Sequence, residues 1–216
     1  MKTQYDILSK EFEYADQNFP DVTRPILYSL IEGNKGKLLD LGCGYGEDLS
    51  YFSNKGFEVY GIDISKEMVK KSIGKGLNIK AEVSNFEDIH HESNKFDILF
   101  SRYALQHSEN IEKIFNEAHR VLKEDGAFVF LVTHPFRHYF EKQTKDYWKA
   151  EICVSSILGG KVTVEEPSHT LDEYINPMIL SKFSLENMLE EFDPAAKIIE
   201  GAGKYPSVLI LKYRKK

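Results

Sequence analysis

The segment LLDLGCGYGEDL, residues 38–49, decides the fold of this chain. A short apolar run ends at Leu41 and is followed by three glycines at alternate positions, Gly42, Gly44 and Gly46. Glycine is needed where the backbone takes angles that a Cβ atom would forbid, or where a ligand approaches the main chain closely. Apolar residues with helical spacing follow the last glycine. The segment therefore predicts a strand, a ligand-accessible turn and a helix, in that order.

Other short apolar runs indicate further strands, which we place at residues 37–41, 58–62, 79–83, 96–100 and 127–133. Several of the intervening segments have helical spacing. The clearest is 109–122, where Ser108 is a candidate N-cap and Gly126 a stop signal. Ser65 is a candidate N-cap for another helix. Strands that alternate with helices and are apolar along their length predict a parallel sheet covered on both faces.

The pattern changes after residue 134, and the rest of the chain is expected to add a cap and an antiparallel edge. Residues 134–148 are rich in aromatic side chains, and residues 152–164 are typical of a β-hairpin with a Gly159-Gly160 turn. An apolar stripe that begins at Ser184 predicts a helix. Residues 196–200 and 207–213 predict two strands that are antiparallel neighbours, because a short loop joins them.

These elements predict an α/β fold, with a Rossmann-like, doubly wound, seven-stranded and mostly parallel sheet and an antiparallel C-terminal hairpin. Residues 1–216 form a single domain in this prediction, with a helical cover over residues 1–35 and a cap insertion over residues 135–180. Ligands of such folds bind at the carboxyl ends of the strands, beside the point where the strand order reverses. The glycine turn is expected at that point.

Composition and charge disfavour several classes of protein. With 216 residues, 42% hydrophobic and 29% charged, the chain suits one folded domain. Its longest apolar run, Phe128 to Val132, is too short to span a membrane, and we see no signal-peptide core. Two cysteines make no disulfide framework, so we expect a cytoplasmic protein. We expect the protein to be a monomer or a homodimer. The net charge of −6, without a basic stripe, disfavours nucleic acid as a partner.

Acidic residues near the glycine turn indicate which ligand binds there. Asp63 ends the second strand, where a carboxylate can accept hydrogen bonds from both ribose hydroxyls of a nucleoside. The glycines follow the pattern G-x-G-x-G, whereas dinucleotide sites have G-x-G-x-x-G. Glu47, Asp48 and Asp40 would also oppose a pyrophosphate. An acidic pocket of this kind suits a nucleoside that carries amino and sulfonium cations, which is S-adenosylmethionine.

Together with these residues, several segments resemble the class I S-adenosylmethionine-dependent methyltransferases, in particular small stand-alone members of that family. The resemblance covers about residues 36–134 in order and spacing. Its matching segments are DLGCGYG (40–46), GIDIS (61–65), SNF (84–86), FDILFS (96–101) and EAHRVLKEDG (117–126). The resemblance implies an enzyme that transfers a methyl group and uses S-adenosylmethionine as its cofactor.

The resemblance also implies which residues surround the cofactor. The implied set is Asp40, Gly42, Cys43, Gly44, Gly46, Asp63, Ile64, Asn85, Phe86, Ser101 and Tyr14. Asp40 would lie near the methionine amino group and Asp63 would hold the ribose. Ser101 would lie beside the methionine part of the cofactor. Tyr14 belongs to an N-terminal segment that resembles the helices closing over the cofactor in this family.

Three of these residues are assigned to the adenine ring. Ile64 would pack on the ring and Phe86 would flank it. Asn85 stands where the family often has an aspartate, and its amide oxygen can still accept a hydrogen bond from the adenine amino group.

Candidate catalytic and acceptor-binding residues come from the histidines and aromatic residues that follow the fourth and fifth strands. Alignment supplies most of the barrier reduction in an in-line methyl transfer, so a base is needed only for some acceptors. His107 is the candidate base, although a structural role for it is equally open. The candidate acceptor-binding residues are His134, His138, Tyr139, Trp148 and His169. No metal site is expected, because Pro135 interrupts the i, i+4 histidine pair and no further ligands complete a set.

Four functions remain open from the sequence. The leading one is methyl transfer to oxygen, nitrogen or carbon of a small molecule. The acceptor could instead be RNA or protein. A nicotinamide-dependent oxidoreductase would share the ribose-binding acid but should have the other glycine spacing. A protein that binds S-adenosylmethionine without turnover would share the glycine turn, because a binding site and an acceptor site are separate features.

Overall fold

A computed structural model describes residues 3–216 except residues 19, 20, 32, 34, 77, 158–161, 195–198 and 202. The helices are α1 (Gln4–Asn18), α2 (Thr23–Ser29), α3 (Glu47–Asn54), α4 (Lys66–Ile73), α5 (Ile111–Val121), α6 (Pro135–Glu141), α7 (Leu171–Tyr174) and α8 (Pro177–Lys182). The strands are β1 (Lys37–Leu41), β2 (Glu58–Asp63), β3 (Lys80–Val83), β4 (Phe96–Arg102), β5 (Leu122–Thr133), β6 (Ile152–Ile157), β7 (Val162–Pro167), β8 (Phe183–Glu191) and β9 (Val208–Lys215). None of these described helices is long and apolar enough to cross a membrane.

Seven strands form one sheet in the order β3-β2-β1-β4-β5-β9-β8. Strands β1 to β5 run parallel to one another, whereas β9 lies antiparallel between β5 and β8. The predicted doubly wound α/β sheet with an antiparallel C-terminal edge is therefore confirmed. A separate two-stranded sheet pairs β6 with β7 in antiparallel register, with Cys153 opposite Glu166. The predicted Gly159-Gly160 turn between these two strands lies outside the described residues.

The strand order reverses between β1 and β4. From β1 the chain proceeds outward through β2 and β3, and it then returns to the other side of β1 through β4. In such sheets the reversal leaves a crevice at the carboxyl ends of the strands. The loops after β1 and β4 meet at Gly42, where an added Cβ atom would lie 2.2 Å from the Cβ of Ala104. A side chain at this position would push the two loops apart.

Apolar side chains cover both faces of the sheet. On one face, Phe115 of α5 packs on Phe128 and Phe130 of β5, with ring centroids 5.7 and 6.0 Å apart. On the other face, Phe52 of α3 packs on Phe100 of β4 at 5.2 Å. Alternate residues of β5 enter the two clusters in turn, as expected of a strand buried on both faces. This double burial explains why the central strands are apolar along their whole length.

The segment after Ser184 is a strand, so the prediction of a helix there is wrong. Its apolar residues also fit a period of two, because Phe183, Leu185 and Leu189 occupy alternate positions that are buried or half-buried. Met188, which the helical stripe includes, is 39% exposed. Pairing with β9 satisfies the backbone groups of the segment, and this long-range contact decides between the two patterns. The partner of the last strand is therefore β8 and not the predicted strand 196–200, most of which lies outside the described residues.

The helix caps agree in part with the sequence. Ser65 caps α4 as predicted, since its Oγ accepts a hydrogen bond from the Met68 N–H at 3.2 Å. Helix α5 begins later than predicted, because Asn110 and not Ser108 is its N-cap, with Asn110 Oδ1 3.0 Å from the Lys113 nitrogen. Ser108 Oγ instead accepts a hydrogen bond from the Asn110 N–H at 2.8 Å. Ser108 thus supports the cap from two residues earlier.

Helix α1 lies against both α4 and the β6–β7 hairpin. The Gln4 side chain donates to the Glu165 carbonyl oxygen at 3.1 Å and accepts from the Glu165 N–H at 3.3 Å. The Asp6 carboxylate accepts a hydrogen bond from Ser65 Oγ at 2.6 Å. The N-terminal helix is therefore attached to the first half of the sheet and to the insertion after β5.

Candidate active site

A cavity of about 370 Å³ lies at the carboxyl ends of β1, β2 and β4. Nine of the predicted site residues line it, namely Gly42, Cys43, Gly44, Gly46, Asp63, Ile64, Asn85, Phe86 and His107. Tyr5 of α1, Arg102 of β4 and Glu166 of β7 also line it. The cavity wall thus combines the sheet with the N-terminal helix and the hairpin.

The glycine turn leaves room for a ligand at one position and packs tightly at another. Gly44 has φ +52°, and a Cβ atom there would have no atom within 4 Å, so its main chain faces open space. Gly46 has φ +86° and precedes α3, where an added Cβ would lie 2.7 Å from the Cβ of Ser72. A ligand can therefore approach the backbone at Gly44, while Gly46 brings α3 close to α4.

Asp63 at the end of β2 holds the glycine turn in place. Its Oδ2 accepts a hydrogen bond from the Gly44 N–H at 2.9 Å, and its Oδ1 accepts one from the Ser65 N–H at 2.8 Å. Burial raises the pKa of this carboxyl above its ordinary value. Each carboxylate oxygen has more than one acceptor position, so both oxygens can still take a ligand hydroxyl.

Asp40 is a buried carboxyl at the end of β1, immediately before the turn. It is 2% exposed, and no residue in the described part of the chain hydrogen-bonds to its side chain. Burial, and then the charge of Asp48, raise the pKa of Asp40 well above its ordinary value. A buried acid without a partner is unusual, because polar groups in protein interiors are normally hydrogen-bonded. A cation bound nearby would supply the missing partner.

Asp48 belongs to a cluster of charges that joins three elements at one end of the cavity. Its Oδ1 accepts hydrogen bonds from Arg24 Nε at 2.9 Å and from the Tyr28 hydroxyl at 2.6 Å. Arg102 Nε lies 3.3 Å from Asp48 Oδ2, and Arg102 also pairs with Asp21 at 2.8 Å. Burial opposes ionisation of Asp48, but Arg102 and Arg24 outweigh it and lower its pKa. Both aspartates are therefore charged at neutral pH, whereas burial opposes the charged form of Asp40.

A second polar cluster lies at the wall formed by α1 and the hairpin. The Tyr5 hydroxyl hydrogen-bonds to His107 Nε2, and Glu166 Oε2 lies 3.8 Å from the same nitrogen. Glu166 is 2% exposed, and its Oε1 accepts hydrogen bonds from His138 Nε2 at 3.2 Å and Ser155 Oγ at 2.8 Å. Although burial opposes ionisation, His138 and His107 lower the pKa of Glu166 to about 2.

Burial lowers the pKa of His107, while the charge of Glu166 acts in the opposite direction. Burial, and then Glu166 and Asp63, raise the pKa of Tyr5 well above its ordinary value, so Tyr5 remains an uncharged hydroxyl. Since both acids act on Tyr5, the helix α1 places it between the glycine-turn side of the cavity and the hairpin side. His107 is therefore a neutral imidazole beside a fixed negative charge.

Part of this chain, including the glycine turn, is similar to known proteins. Residues 39–130 match the family model of a methyltransferase domain. The fold is that of a putative S-adenosylmethionine-dependent methyltransferase from Listeria monocytogenes, with a TM-score of 0.72 and 24% identity over 89% of this chain and 96% of that chain. We refer to residues 39–130, which match this family model, as the methyltransferase domain. The resemblance to class I S-adenosylmethionine-dependent methyltransferases is confirmed.

Curated relatives match part of the chain. An uncharacterised protein of Methanocaldococcus jannaschii is 33% identical over 136 residues, which cover 62% of this chain and 52% of that protein. A sarcosine/dimethylglycine N-methyltransferase of Aphanothece halophytica is 36% identical over 101 residues, which cover 44% of this chain and 36% of that enzyme. The chain thus spans about half of the first relative and about a third of the second.

Three of the residues predicted around the cofactor, Asp40, Ser101 and Tyr14, do not line the cavity. Ser101 is fully buried, and its Oγ donates to the Leu41 carbonyl oxygen at 2.7 Å, so it connects β4 to β1. Tyr14 is 56% exposed on α1, where Tyr5 rather than Tyr14 faces the cavity. Asn85 lies on the wall, and its Oδ1 accepts a hydrogen bond from the Glu87 N–H at 2.9 Å.

The predicted acceptor-binding residues lie outside the cavity wall. His138 is fully buried behind Glu166. His169 is buried beside it and bonds to the Gln106 carbonyl oxygen at 2.9 Å and to Glu173 at 2.7 Å. His134 caps α6, accepting from the Phe136 N–H at 3.0 Å, and bonds to Glu190 at 2.9 Å. These histidines connect structural elements to one another.

Tyr139 and Trp148, the two aromatic residues predicted to bind the acceptor, also lie outside the cavity wall. Tyr139 packs edge-on against Phe140, and Trp148 is 75% exposed. The insertion after β5 instead lines the cavity with Arg137, Ile157, Val164 and Glu166. Their inward orientation follows from how α6 and the hairpin pack on the methyltransferase domain. The alternation of buried and exposed residues along β7 is the one sequence signal that could have indicated Glu166, a carboxylate in an inward-facing position.

Proposed function

We propose that this protein transfers a methyl group from S-adenosylmethionine to a small-molecule acceptor bound in the cavity. The glycine turn carries this proposal. Gly44 faces open space at the cavity wall while its N–H holds Asp63, a buried carboxylate that retains acceptor positions for a ribose. The methyltransferase domain over residues 39–130 supports the reaction type. The glycine spacing speaks against a dinucleotide.

The residues near the turn fit the cofactor group by group. Asp63 would accept hydrogen bonds from the ribose hydroxyls, and Ile64 with Phe86 would flank the adenine. Asp40 would receive the methionine ammonium, which would provide its unpartnered carboxyl with a counter-charge. When bound, S-adenosylmethionine supplies an electrophilic methyl group on a sulfonium centre.

The acceptor is a small molecule in this proposal, because a cavity of about 370 Å³ has to hold both the cofactor and the acceptor. The relative from Aphanothece halophytica, named for sarcosine and dimethylglycine, supports a small nitrogen acceptor. The buried free thiols Cys43 and Cys153 support a reducing, cytoplasmic location.

Residues of this chain would align the acceptor and accept its proton. His107 is a neutral imidazole on the cavity wall, held by Tyr5 and facing Glu166, so it is suited to act as a general base. Tyr5 comes from α1, which places an uncharged hydroxyl and an aromatic ring over this part of the cavity. Together they would exclude water from the reacting groups.

A thermal shift experiment tests the cofactor assignment. The purified protein is melted alone and with S-adenosylhomocysteine, S-adenosylmethionine or NAD. A ligand at about 100 times its Kd stabilises the native state by about 2.7 kcal/mol, which raises the Tm by roughly 5–11 °C for a chain of this length. We expect this rise with the two adenosyl-sulfur ligands and none with NAD.

Two variants make the thermal shift specific to the site. Asp63→Ala removes the carboxylate that would hold the ribose, so the ligand-induced rise should disappear. Asp146→Ala, an exposed aspartate outside the cavity wall, should retain the full rise. A rise with NAD alone, or an undiminished rise in Asp63→Ala, contradicts the proposal. Methyl transfer itself is then measured as S-adenosylhomocysteine released in the presence of candidate acceptors.

A further inference from the structure

Two consecutive residues of the cavity wall, Gln106 and His107, each carry a buried polar atom without a partner in the described part of the chain. Gln106 Oε1 and His107 Nδ1 have no hydrogen-bond partner among the described residues, and Gln106 is 2% exposed. Both residues line the cavity. Unpartnered polar groups are rare in protein interiors, because a group that is removed from water without a new partner destabilises the folded state. Gln106 Oε1 is an acceptor, and His107 Nδ1 is one too when the ring proton is on Nε2, so the wall at this place suits a ligand that donates hydrogen bonds.

The charge beside these atoms indicates that the donor is a cation. Glu166 stays ionised in the same wall and lies 3.8 Å from His107 Nε2. The side-chain oxygen of Gln106 and the carboxylate of Glu166 are acceptors, and His107 is neutral. An ammonium group can donate N–H groups to Gln106 and His107, and its positive charge is attracted by the carboxylate of Glu166.

Arg137 supplies the opposite chemistry a short distance away. It is 4% exposed and lines the cavity, yet it donates only to Glu141 Oε1 at 3.0 Å and the Ser156 carbonyl oxygen at 3.1 Å within the described part of the chain. A guanidinium has five N–H donors, so three of them are left for a ligand. Planar N–H pairs of this kind suit a carboxylate or a phosphate.

The surrounding acids favour a carboxylate over a phosphate. Ser155 Oγ lies 2.7 Å from Glu141 Oε2 and 2.8 Å from Glu166 Oε1, so Arg137 and Glu166 belong to one continuous network. Two glutamates near the guanidinium would repel a doubly charged phosphate more than a singly charged carboxylate. The anion-binding and cation-binding groups therefore line the same cavity.

We infer that the acceptor is a small amino carboxylate, whose carboxylate binds Arg137 and whose ammonium binds Gln106, His107 and Glu166. This inference rests on the proposed function and adds the chemical class of the acceptor. The ammonium must lose one proton before its nitrogen can react. The N–H bond breaks, the electron pair stays on nitrogen, and the proton moves to the imidazole of His107, where Glu166 balances the new positive charge. Glu166 is thus a positioning residue and His107 the base.

Binding of amino acids tests the inference without requiring turnover. The protein is first saturated with S-adenosylhomocysteine and then titrated calorimetrically with the protein amino acids, sarcosine and β-alanine. Methylamine and acetate serve as probes that carry only one of the two charged groups. We expect at least one amino carboxylate to bind, and both single-group probes to bind at least about 10-fold more weakly, because each omits a charged contact.

Variants of Arg137 and Glu166 assign the two ends of the acceptor. Arg137→Gln should weaken binding of that amino acid by about 10- to 100-fold, with the affinity for S-adenosylhomocysteine unchanged. If Arg137→Gln does not fold, Arg137→Lys keeps the charge and should still show a loss. Arg214→Gln, a surface substitution away from the cavity, and Glu165→Gln, on the outward-facing side of the same strand, are the matched controls.

The proton-accepting role has its own measurement. His107 faces Tyr5 from α1, Glu166 from β7, and more distantly His138 and His169. In protein carrying labelled histidine, the His107 resonance is assigned by its absence in His107→Gln, and its pKa is followed by NMR. Glu166→Gln removes a negative charge and should lower that pKa by about 1 or more, whereas Glu165→Gln should leave it unchanged.

The possible results separate this inference from the proposed function. Failure of the protein to bind S-adenosylhomocysteine overturns the proposed function. If that ligand binds, the acceptor inference is overturned by any one of three results: no amino carboxylate binds, methylamine or acetate binds as well as the amino acid, or Arg137→Gln and Arg137→Lys bind it as the wild type does. An unchanged His107 pKa in Glu166→Gln overturns the role given to Glu166.

Discussion

Two aspartates on the neighbouring strands β1 and β4 have opposite effects on stability. Asp40 is buried without a hydrogen-bond partner, and burial raises its pKa. Asp97 accepts hydrogen bonds from the Lys37 N–H at 2.8 Å and from Lys123 at 2.7 Å. Burial opposes ionisation of Asp97 as well, but these partners outweigh it and lower its pKa. Ionisation of Asp40 therefore weakens the folded state, whereas ionisation of Asp97 stabilises it.

We expect Asp40→Asn to stabilise the ligand-free protein at pH 7 and to weaken cofactor binding. The folded-state pKa of Asp40 lies above the ordinary value of about 3.9, so the folded state loses stability as pH rises from the ordinary pKa to the folded-state pKa. An asparagine at this position does not ionise, so the variant does not lose this stability. The Tm should rise by roughly 2–4 °C at pH 7, which corresponds to about 1 kcal/mol. The affinity for S-adenosylhomocysteine should fall about 10-fold or more, because its ammonium loses a charged partner.

Asp97→Asn is the matched control and should change the Tm in the other direction. The pKa of Asp97 is lowered, so its ionised carboxylate stabilises the folded protein above the ordinary pKa. This stabilisation is lost as pH falls through the folded-state pKa. The variant should therefore melt below the wild type at pH 7 and approach it under acidic conditions, with cofactor affinity unchanged. A Tm at pH 7 for Asp40→Asn that is equal to or lower than the wild-type value contradicts the account of Asp40.

Residues that are close in sequence were predictable in the cofactor region, and residues brought together by long-range packing were not. Gly44, Asp63 and their spacing follow from local strand and turn patterns, and the structure joins them by a 2.9 Å hydrogen bond. Tyr5 and His107 are 102 positions apart, and Glu166 comes from a hairpin whose docking no local pattern encodes. The base candidate could therefore be named from sequence, but not the groups that determine its charge.

At the scale of whole elements, α1 is attached to α4 through polar contacts that include one near its first turn. Asp6 Oδ1 accepts hydrogen bonds from Ser65 Oγ at 2.6 Å and from the Glu67 N–H at 3.3 Å. A carboxylate at this place completes the N-terminus of α4, where unpaired N–H groups and the helix dipole favour a negative charge. These hydrogen bonds lower the pKa of Asp6 to about 2.

Asp6→Ala should loosen α1 without loosening the sheet. The variant removes the contact with Ser65, so hydrogen exchange of the α1 amides should become several-fold faster, while exchange in β1 and β4 stays unchanged. The wild-type protein should show the same loosening only as pH falls toward about 2, where Asp6 becomes protonated. Glu11→Ala, an exposed position on the same helix, should exchange at the wild-type rate. Equal α1 exchange in Asp6→Ala and Glu11→Ala would show that other contacts hold the helix.

Strand β8 illustrates where element prediction from sequence fails. The central parallel strands β1, β4 and β5 are largely buried on both faces and have no competing helical pattern, so their type was predictable. The residues of β8 fit both a period of 3.6 and a period of two, and the choice depends on pairing with residues of β9 that lie 17 to 32 positions later along the chain. An edge strand is half-buried, so it lacks the continuous apolar run that marks a central strand.

For the molecule as a whole, the charge cluster around Asp48 joins the parts of the fold that meet at the cavity. Arg102 at the end of β4 contacts Asp48 of α3 at 3.3 Å and Asp21, which precedes α2, at 2.8 Å. Charged side chains from three separate parts of the chain thus form ion pairs at one end of the site. The side chains of Arg102, Asp21 and Asp48 are 10–18% exposed. Removing one member leaves buried opposite charges without compensation, which costs more than the pair contributed.

We expect Arg102→Gln to lower the free energy of unfolding by about 2–4 kcal/mol at pH 7, as for other broken, largely buried ion pairs. The difference from the wild type should shrink toward pH 4 and below, because Asp21 and Asp48 lose the cation that lowers their pKa and become protonated earlier. Urea unfolding at several pH values measures both effects. Arg214→Gln, which breaks a surface pair with Glu186, should cost no more than about 1 kcal/mol. If both variants lose the same stability at pH 7, the Asp48 cluster is no stronger than a surface ion pair, and the cavity end of the fold depends on apolar packing alone.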